Sequence, residues 1–285
     1  MRFTLLPIAP SLAELRAAVA TAKAAGKTVG FVPTMGALHE GHAALVRSAR
    51  NESGFVVVSL FVNPIQFGPN EDFTKYPRTL EADRQICADA GADLIFTPTV
   101  ETMYPLGSVT LVEVKEMDRH LCGPSRPGHF RGVCTVVAKL FHLVQPDVAY
   151  FGAKDGQQVR IIQRMVRDLD FPLTVRVVPT IREADGLAMS SRNRYLKPNE
   201  RVAAPGIYRA ITRTRERALA GEIDVARLES ALAAELSAIP GAKIDYASLV
   251  DDETLQPMNR LTRPALLAVA VYIGTTRLID NVTIP

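Results

Sequence analysis

An excess of charge of either sign is missing from this chain. Its 285 residues carry 33 Lys and Arg against 30 Asp and Glu, a formal net charge of +3. The broad basic footprint of a nucleic-acid or membrane-surface protein is therefore absent. Cysteine is scarce as well. The three cysteines stand at 87, 122 and 134 with no Cys-x-x-Cys pair, which argues against a disulfide framework and suits a reducing compartment. A zincin helix is lacking too, because His39 and His42 are only three apart and Glu40 lies between them in the wrong register. Long apolar runs are missing: Leu60–Val62 with the valines before it, and Leu266–Ile273, fall far short of a membrane span. Met1–Pro7 reaches proline before a signal-peptide core can form, so a cytoplasmic protein is expected. No internal repeat or low-complexity segment interrupts the chain. What remains, 47% apolar and 22% charged, is ordinary globular composition, enough for one large or two modest domains.

The patterning predicts strands that alternate with helices. Leu12, Leu15, Val19 and Ala22 share one helix face between Ser11, a plausible N-cap, and Gly26, a stop. The strand Thr28–Val32 follows, then a loop and a helix to about Asn51. Phe55–Val62 is apolar on both faces, as a central parallel strand must be. A helix over Thr79–Ala90, a strand over Asp93–Phe96, a helix over Val133–Val144 and a strand over Val148–Phe151 come next. A helix over Gln157–Asp168 and a strand over Leu173–Val178 complete the alternation. Such order implies an α/β fold with a Rossmann-like parallel sheet flanked by helices. From about Asn199 to Ala238 two alanine-rich charged helices run without a strand between them. Ala242–Val250, Leu266–Ile273 and Arg277–Val282 then read as closely spaced strands. A smaller C-terminal α+β domain is expected over 185–285, after a first domain over 1–184.

Two glycines and two histidines sit where the first parallel strand hands over to a helix, in Thr34-Met35-Gly36-Ala37-Leu38-His39-Glu40-Gly41-His42. Such junctions bind anions, because free backbone N–H groups and the helix dipole point at the ligand. The imidazoles add donors suited to phosphate chemistry. The loop after the next strand carries Asn63 and Gln66, neutral amides that suit hydroxyl and carboxylate groups, although Asn63-Pro64 is also an ordinary turn. Gly152-Ala153-Lys154-Asp155 ends another strand. Lys154 is a candidate phosphate ligand, Asp155 a candidate helix cap, and Gln158 faces the crevice or solvent. Met189, Ser190, Ser191 and Arg192 lie on an expected loop able to clamp a polyphosphate. Arg126–Gly132 is either a lid or a solvated loop.

Together these residues resemble the pantothenate synthetases, ATP-dependent ligases that join pantoate to β-alanine. The resemblance covers nearly the whole chain and is densest in Pro33–His42, Phe61–Phe67, Tyr76–Thr79, Arg126–Val133, Phe151–Gln158 and Asp185–Leu196. The His-x-Gly-His element alone marks the wider nucleotidyltransferase superfamily. Its conjunction with Asn63–Phe67 and Gly152–Gln158 is far more specific. The resemblance implies a C-terminal domain that closes over the site, a homodimer and a need for Mg²⁺. It implies that pantoate attacks ATP to give pantoyl adenylate and pyrophosphate, after which β-alanine displaces AMP. By the same likeness, Met35, Gly36, Ala37, Leu38, His39, Glu40, Gly41, His42, Gly152, Ala153, Lys154 and Asp155 bind ATP. Ile181 contacts adenine, and Met189, Ser190, Ser191 and Arg192 hold the triphosphate. Gln66 and Gln158 bind pantoate, and Gln66 with Asn63 lies near β-alanine. Asp83 holds Mg²⁺ through water or is a solvated helix residue.

His42 matches the residue usually assigned as proton donor. An attacking carboxylate is already ionised at neutral pH, so His42, with His39, Lys154 and Arg192, is better read as a preorganised donor to phosphate. Ala153 and Gly156 depart from the commoner pattern, as do Ala188 and Ser191 relative to the superfamily's Lys-Met-Ser-Lys-Ser loop. Two rivals remain: a nucleotidyltransferase acting on another small acid or phosphate substrate, and a catalytically silent nucleotide-binding protein on the same fold. A synthetase acting on tRNA is disfavoured, since the chain lacks a basic tRNA-binding appendage.

Overall fold

A computed structural model describes residues 5–69, 71 and 73–285; of the segment Met1–Pro7 read above, residues 1–4 lie outside this set. The chain divides into two compact units. The first contains residues up to Val114, Pro127–Gly152 and Ile161–Val178, and the second contains Lys115–Arg126, Ala153–Arg160 and Pro179–Pro285.

The first unit is built on a six-stranded, wholly parallel sheet in the order β1-β4-β3-β2-β5-β6. Its strands are β1 (Ile8–Ala9), β2 (Val29–Thr34), β3 (Phe55–Leu60), β4 (Leu94–Phe96), β5 (Val148–Gly152) and β6 (Thr174–Val178). The helices between them are α1 (Leu12–Ala24), α2 (Glu40–Glu52), α3 (Leu80–Ala90), the single turn α4 (Val100–Met103) and α5 (His129–Val144); α6 (Gly156–Asp168) follows β5. Val56, Val57 and Val58 are fully buried, as both-face burial of β3 requires. Helix α1 starts where the sequence places it. Ser11 accepts from the Glu14 amide while the Glu14 carboxylate accepts from the Ser11 amide, a reciprocal cap that contributes about 1 kcal/mol.

Strands β3 and β4 extend from one side of β2, while β5 and β6 extend from the other. The strand order therefore reverses between β2 and β5, the place where open α/β sheets bind ligands. The β2–β3 ladder holds six residue pairs, but the β2–β5 ladder only Gly30↔Val148 and Phe31↔Ala149. That ladder ends well before the carboxyl ends of the two strands, and the His39–His42 loop leaves β2 at this point.

The second unit packs α7 (Pro198–Ala203), α8 (Gly206–Leu219) and α9 (Val225–Ser237) with a three-stranded antiparallel sheet, β7 (Ala242–Asp251), β8 (Ala265–Ile273) and β9 (Thr276–Ile284). Helices α8 and α9 bury Ile207, Ile211, Leu228 and Leu232 in one core with Leu267, Val269 and Val271 of the central strand β8. The fold is thus the expected parallel α/β sheet followed by an α+β arrangement.

Three local expectations change. The stretch 199–238 holds three helices, not two, because α7 stops at Ala203 and α8 begins at Gly206. Strand β1 and the turn α4 were not anticipated; with two and four residues, neither is long enough to show a period. Helix α5 begins at His129, one turn before Val133, so the second half of Arg126–Gly132 is neither lid nor solvated loop. His129 and Gly132 are buried there, with the Gly132 face against the Pro64–Gln66 turn. A β-carbon at Gly132 would lie 2.5 Å from the Ile65 carbonyl oxygen and 2.6 Å from the Gln66 Cα. Glycine lets the two backbones meet.

Candidate active site

In the first unit the loop between β2 and α2 turns through Gly36 and Ala37, both at positive φ (84° and 52°). A buried carboxylate holds it there. Asp83 of α3 is 2% exposed. Its Oδ2 accepts from the Ala37 amide at 3.0 Å, and its Oδ1 from the Leu38 amide at 2.8 Å and the Thr79 hydroxyl at 3.1 Å. Asp83 is therefore not a solvated helix residue. The expectation of free loop amides is also corrected. Besides Ala37 and Leu38, Gly36 donates to Thr34 Oγ1 and Gly41 to His39 Nδ1. Aspartate and side-chain caps take the groups that were read as aimed at an anion.

What the loop offers instead is a pair of imidazoles. His39 caps α2, its Nδ1 accepting from the Gly41 amide at 3.1 Å. His42 Nδ1 accepts from the His39 amide at 3.3 Å. A backbone N–H can only donate, so each Nδ1 is the unprotonated nitrogen, and each neutral ring carries its hydrogen on Nε2. The ring centroids lie 4.2 Å apart. The local sequence has built two adjacent Nε2–H groups of fixed tautomer at the end of β2.

The amides of the next loop form one network. Asn63, 1% exposed, donates from Nδ2 to Gln66 Oε1 at 3.0 Å and to the Gly132 carbonyl at 3.1 Å. Tyr104 donates its hydroxyl to Asn63 Oδ1 at 2.8 Å. Gln66 Nε2 lies 3.2 Å from Met35 Sδ, and His129 Nδ1 lies 2.9 Å from the Gln66 carbonyl oxygen. Met35, Asn63 and Gln66 are thus brought together. Tyr104, which no local motif singles out, and His129, from the Arg126–Val133 stretch, join them from distant positions.

The second unit gathers cations. Lys154 lies in the 3-10 turn Ala153–Asp155, with Nζ 3.8 Å from Asp155 Oδ1. Asn281 of β9 fixes this turn by donating to the Ala153 and Lys154 carbonyls at 3.0 and 2.7 Å. Lys154, Ser190, Arg192 and Arg277 line one small cavity. The expected loop carrying Ser190–Arg192 is instead a 3-10 turn, Ser191–Tyr195, capped by Ser190 Oγ accepting from the Arg192 amide. Ile181 accepts from the Met189 amide at 2.9 Å, which ties two predicted ligands into one hairpin. Arg182 braces the hairpin by a two-pronged contact with buried Asp280, stacked 3.6 Å over the Tyr208 ring. Farther along, Arg201 bonds Asp185 and holds its carboxyl below the usual range. Gln158 is half-buried. Its neighbour Gln157, passed over in the sequence, is the buried one. Gln157 donates to the Met117 and His120 carbonyls and accepts from the Cys122 amide.

A wholly parallel sheet with its switch point beside β2, and a fixed imidazole pair at that strand's carboxyl end, defines an α/β protein built for phosphate-bearing ligands. Comparison with known proteins supplies the family. The profile described as Pantoate-beta-alanine ligase matches residues 7–283. The pantothenate synthetase of Moorella thermoacetica is 53% identical over 274 residues, covering 96% of this chain and 97% of that one. The crystal structure of pantothenate synthetase from Thermus thermophilus superposes with a TM-score of 0.90 at 51% identity, over 97% of this chain and 98% of that one. The pantoate-beta-alanine ligase of Francisella tularensis, complexed with Beta-gamma ATP and beta-alanine, has a TM-score of 0.75 at 36% identity, covering 97% of each chain. The chain belongs to the pantoate–β-alanine ligase family and is an enzyme.

Proposed function

We propose that this enzyme condenses (R)-pantoate with β-alanine, using ATP, in two steps. A pantoate carboxylate oxygen attacks the α-phosphorus of ATP. The new O–P bond forms as the bond to the bridging oxygen breaks, and pyrophosphate leaves with that electron pair. The β-alanine amine then attacks the acyl carbon of pantoyl adenylate, AMP departs, and the ammonium proton is lost as the amide of pantothenate forms.

The observation that carries this reading is the fixed tautomer of the imidazole pair. Each Nδ1 is occupied by a backbone N–H, so the hydrogens stand on Nε2, where they can stabilise charge growing on phosphate oxygens. His42 acts as a hydrogen-bond donor; no proton need leave it, since carboxylate and phosphate are ionised throughout the neutral range. In the first unit, Met35 to His42 line the nucleotide and Gln66 binds pantoate. Asn63 serves β-alanine through Gln66. Gly152 of the first unit also meets ATP. In the second unit, Ala153 to Asp155 and Ile181 do the same, Met189 to Arg192 hold its triphosphate, and Gln158 meets pantoate. Lys154 and Arg192 balance the charge of the departing pyrophosphate.

Among the described residues no group of three or more His, Cys, Asp or Glu could hold a metal ion. The Asp83 oxygens are spent on loop amides and a hydroxyl. A protein-made cage does not fit, so Mg²⁺ belongs with the ATP phosphates as part of the substrate, and Asp83 serves the site by holding the loop. The family likeness further supports a homodimer working in the cytoplasm, and light scattering of the purified chain tests the first of these.

Product analysis tests the chemistry. Incubation with MgATP, pantoate and β-alanine is expected to release pantothenate, AMP and pyrophosphate in equal amounts. Formation of ADP and inorganic phosphate would overturn the proposal.

A further inference from the structure

Gln66 presents an amide whose two ends have nearly the same shape and opposite chemistry. Which end meets a ligand is decided by hydrogen-bond partners, not by packing. Here the partners form a directed chain. The Gly132 carbonyl can only accept, so the Asn63 atom 3.1 Å away must be its Nδ2. The second hydrogen of that Nδ2 goes to Gln66 Oε1 at 3.0 Å. Asn63 Oδ1, at the opposite end, takes the Tyr104 hydroxyl at 2.8 Å. Turning Asn63 over would set its oxygen against two acceptors inside a site where Asn63 is 1% exposed, and buried polar groups without partners are costly. With Oε1 turned toward Asn63, the other end of the Gln66 amide is Nε2, whose partner is the weakly accepting sulfur of Met35 at 3.2 Å. Burial also raises the Tyr104 hydroxyl well above its usual range, so it stays protonated, and a donor, at any working pH.

We propose that Tyr104, Asn63 and the Gly132 carbonyl form a relay that fixes the polarity of the Gln66 amide, so that Gln66 meets its substrate through its Nε2 donor. Tyr104 is thereby a positioning residue that acts 41 residues away in sequence from Asn63. The relay selects a substrate that offers an oxygen acceptor at this point, a hydroxyl or carboxylate, and rejects one offering N–H. This inference rests on the reading that Gln66 contacts pantoate.

Steady-state kinetics on the full-length enzyme tests both claims separately. Tyr104→Phe keeps the ring beside Phe61 and removes only the hydroxyl. It is expected to raise KM for pantoate about tenfold while KM for ATP stays unchanged. Asn63→Asp, which cannot donate to Gln66, is expected to lower kcat/KM for pantoate about a hundredfold. The decisive comparison is the double variant Tyr104→Phe/Gln66→Ala. If Tyr104 acts through Gln66, the double variant is no worse for pantoate than Gln66→Ala alone. Additive losses would overturn the relay, and because this comparison needs no Asn63 variant it holds even if Asn63→Asp fails to fold. A Gln66→Ala enzyme with unchanged KM for pantoate would instead overturn the placement of the substrate. Gln66→Ala impaired with Tyr104→Phe unaffected would leave that placement standing and remove the relay.

Discussion

His39 and His42 hold one another through the backbone between them, so a single substitution here has separable effects on stability and on rate. Removing His42 leaves the His39 amide without its acceptor, a loss of about 1 kcal/mol for one part-buried hydrogen bond. On the proposed mechanism it also removes one donor from the transition state. His42→Ala is expected to slow adenylate formation by about 10²–10³ with a melting temperature near that of the parent. Rapid-quench measurement of the first turnover checks this, and near-normal formation would remove His42 from the chemistry. Arg192→Ala is expected to raise KM for ATP while leaving KM for pantoate unchanged, since its amide and not its side chain makes the cap with Ser190. The histidines were legible because their chemistry and their place at a strand–helix junction coincide within nine residues of sequence. Asp83 was not legible in its real role. Its amide partners lie 45 and 46 residues away, and nothing in the local pattern of α3 distinguishes a buried loop anchor from a solvated carboxylate.

Helix α5 shows how an element boundary escapes sequence reasoning. Its first turn, His129-Phe130-Arg131-Gly132, carries a weak helix former and follows Pro127-Gly128, so loop chemistry is the natural reading. The helix starts there because the turn is buried against the Pro64–Gln66 backbone, a tertiary gain that outweighs propensity. The same contact reverses the usual sign of a helix substitution. Glycine to alanine in a helix interior ordinarily stabilises by about 1 kcal/mol. At Gly132 the added carbon would lie 2.5 Å from a carbonyl oxygen. Gly132→Ala is therefore expected to destabilise by about 2 kcal/mol and to weaken pantoate use by displacing Gln66. Urea unfolding and pantoate kinetics check the two halves, and a stabilised, fully active variant would refute the packing described. The long helices and strands were legible from period and caps; β1 and α4 fall below the length at which a period exists.

At the scale of the whole molecule, the alternation of strands and helices implied the parallel sheet, and the run of closely spaced strands implied the antiparallel one. The connections between distant residues stayed hidden: Tyr104 to Asn63, Gly132 to Asn63, Asn281 to Lys154 and Asp280 to Arg182. Each depends on topology that no local window contains. All three cysteines are buried thiols outside any disulfide, which also shapes the response to pH. Burial, reinforced by the Asp83 charge, pushes the Cys87 thiol up to about 12 from an ordinary 9.0. Below about pH 9 the thiol is protonated whether the chain is folded or not, and its contribution is fully present. Between about 9 and 12 only the unfolded chain ionises, so stability falls as pH rises. Urea midpoints measured from about pH 8 to 11 are expected to decline, less steeply in Cys87→Ala; identical slopes would show that Cys87 is not shielded. The central claim, that paired imidazole donors promote attack of a carboxylate on the α-phosphorus, is tested most directly by ATP–pyrophosphate exchange without β-alanine. Labelled pyrophosphate is expected to enter ATP only when pantoate is present, at a rate nearly constant between about pH 6 and 9, because pantoate is ionised throughout that range. Exchange without pantoate, no exchange until β-alanine is added, or a steep pH dependence that reports proton transfer at His42 would contradict the account.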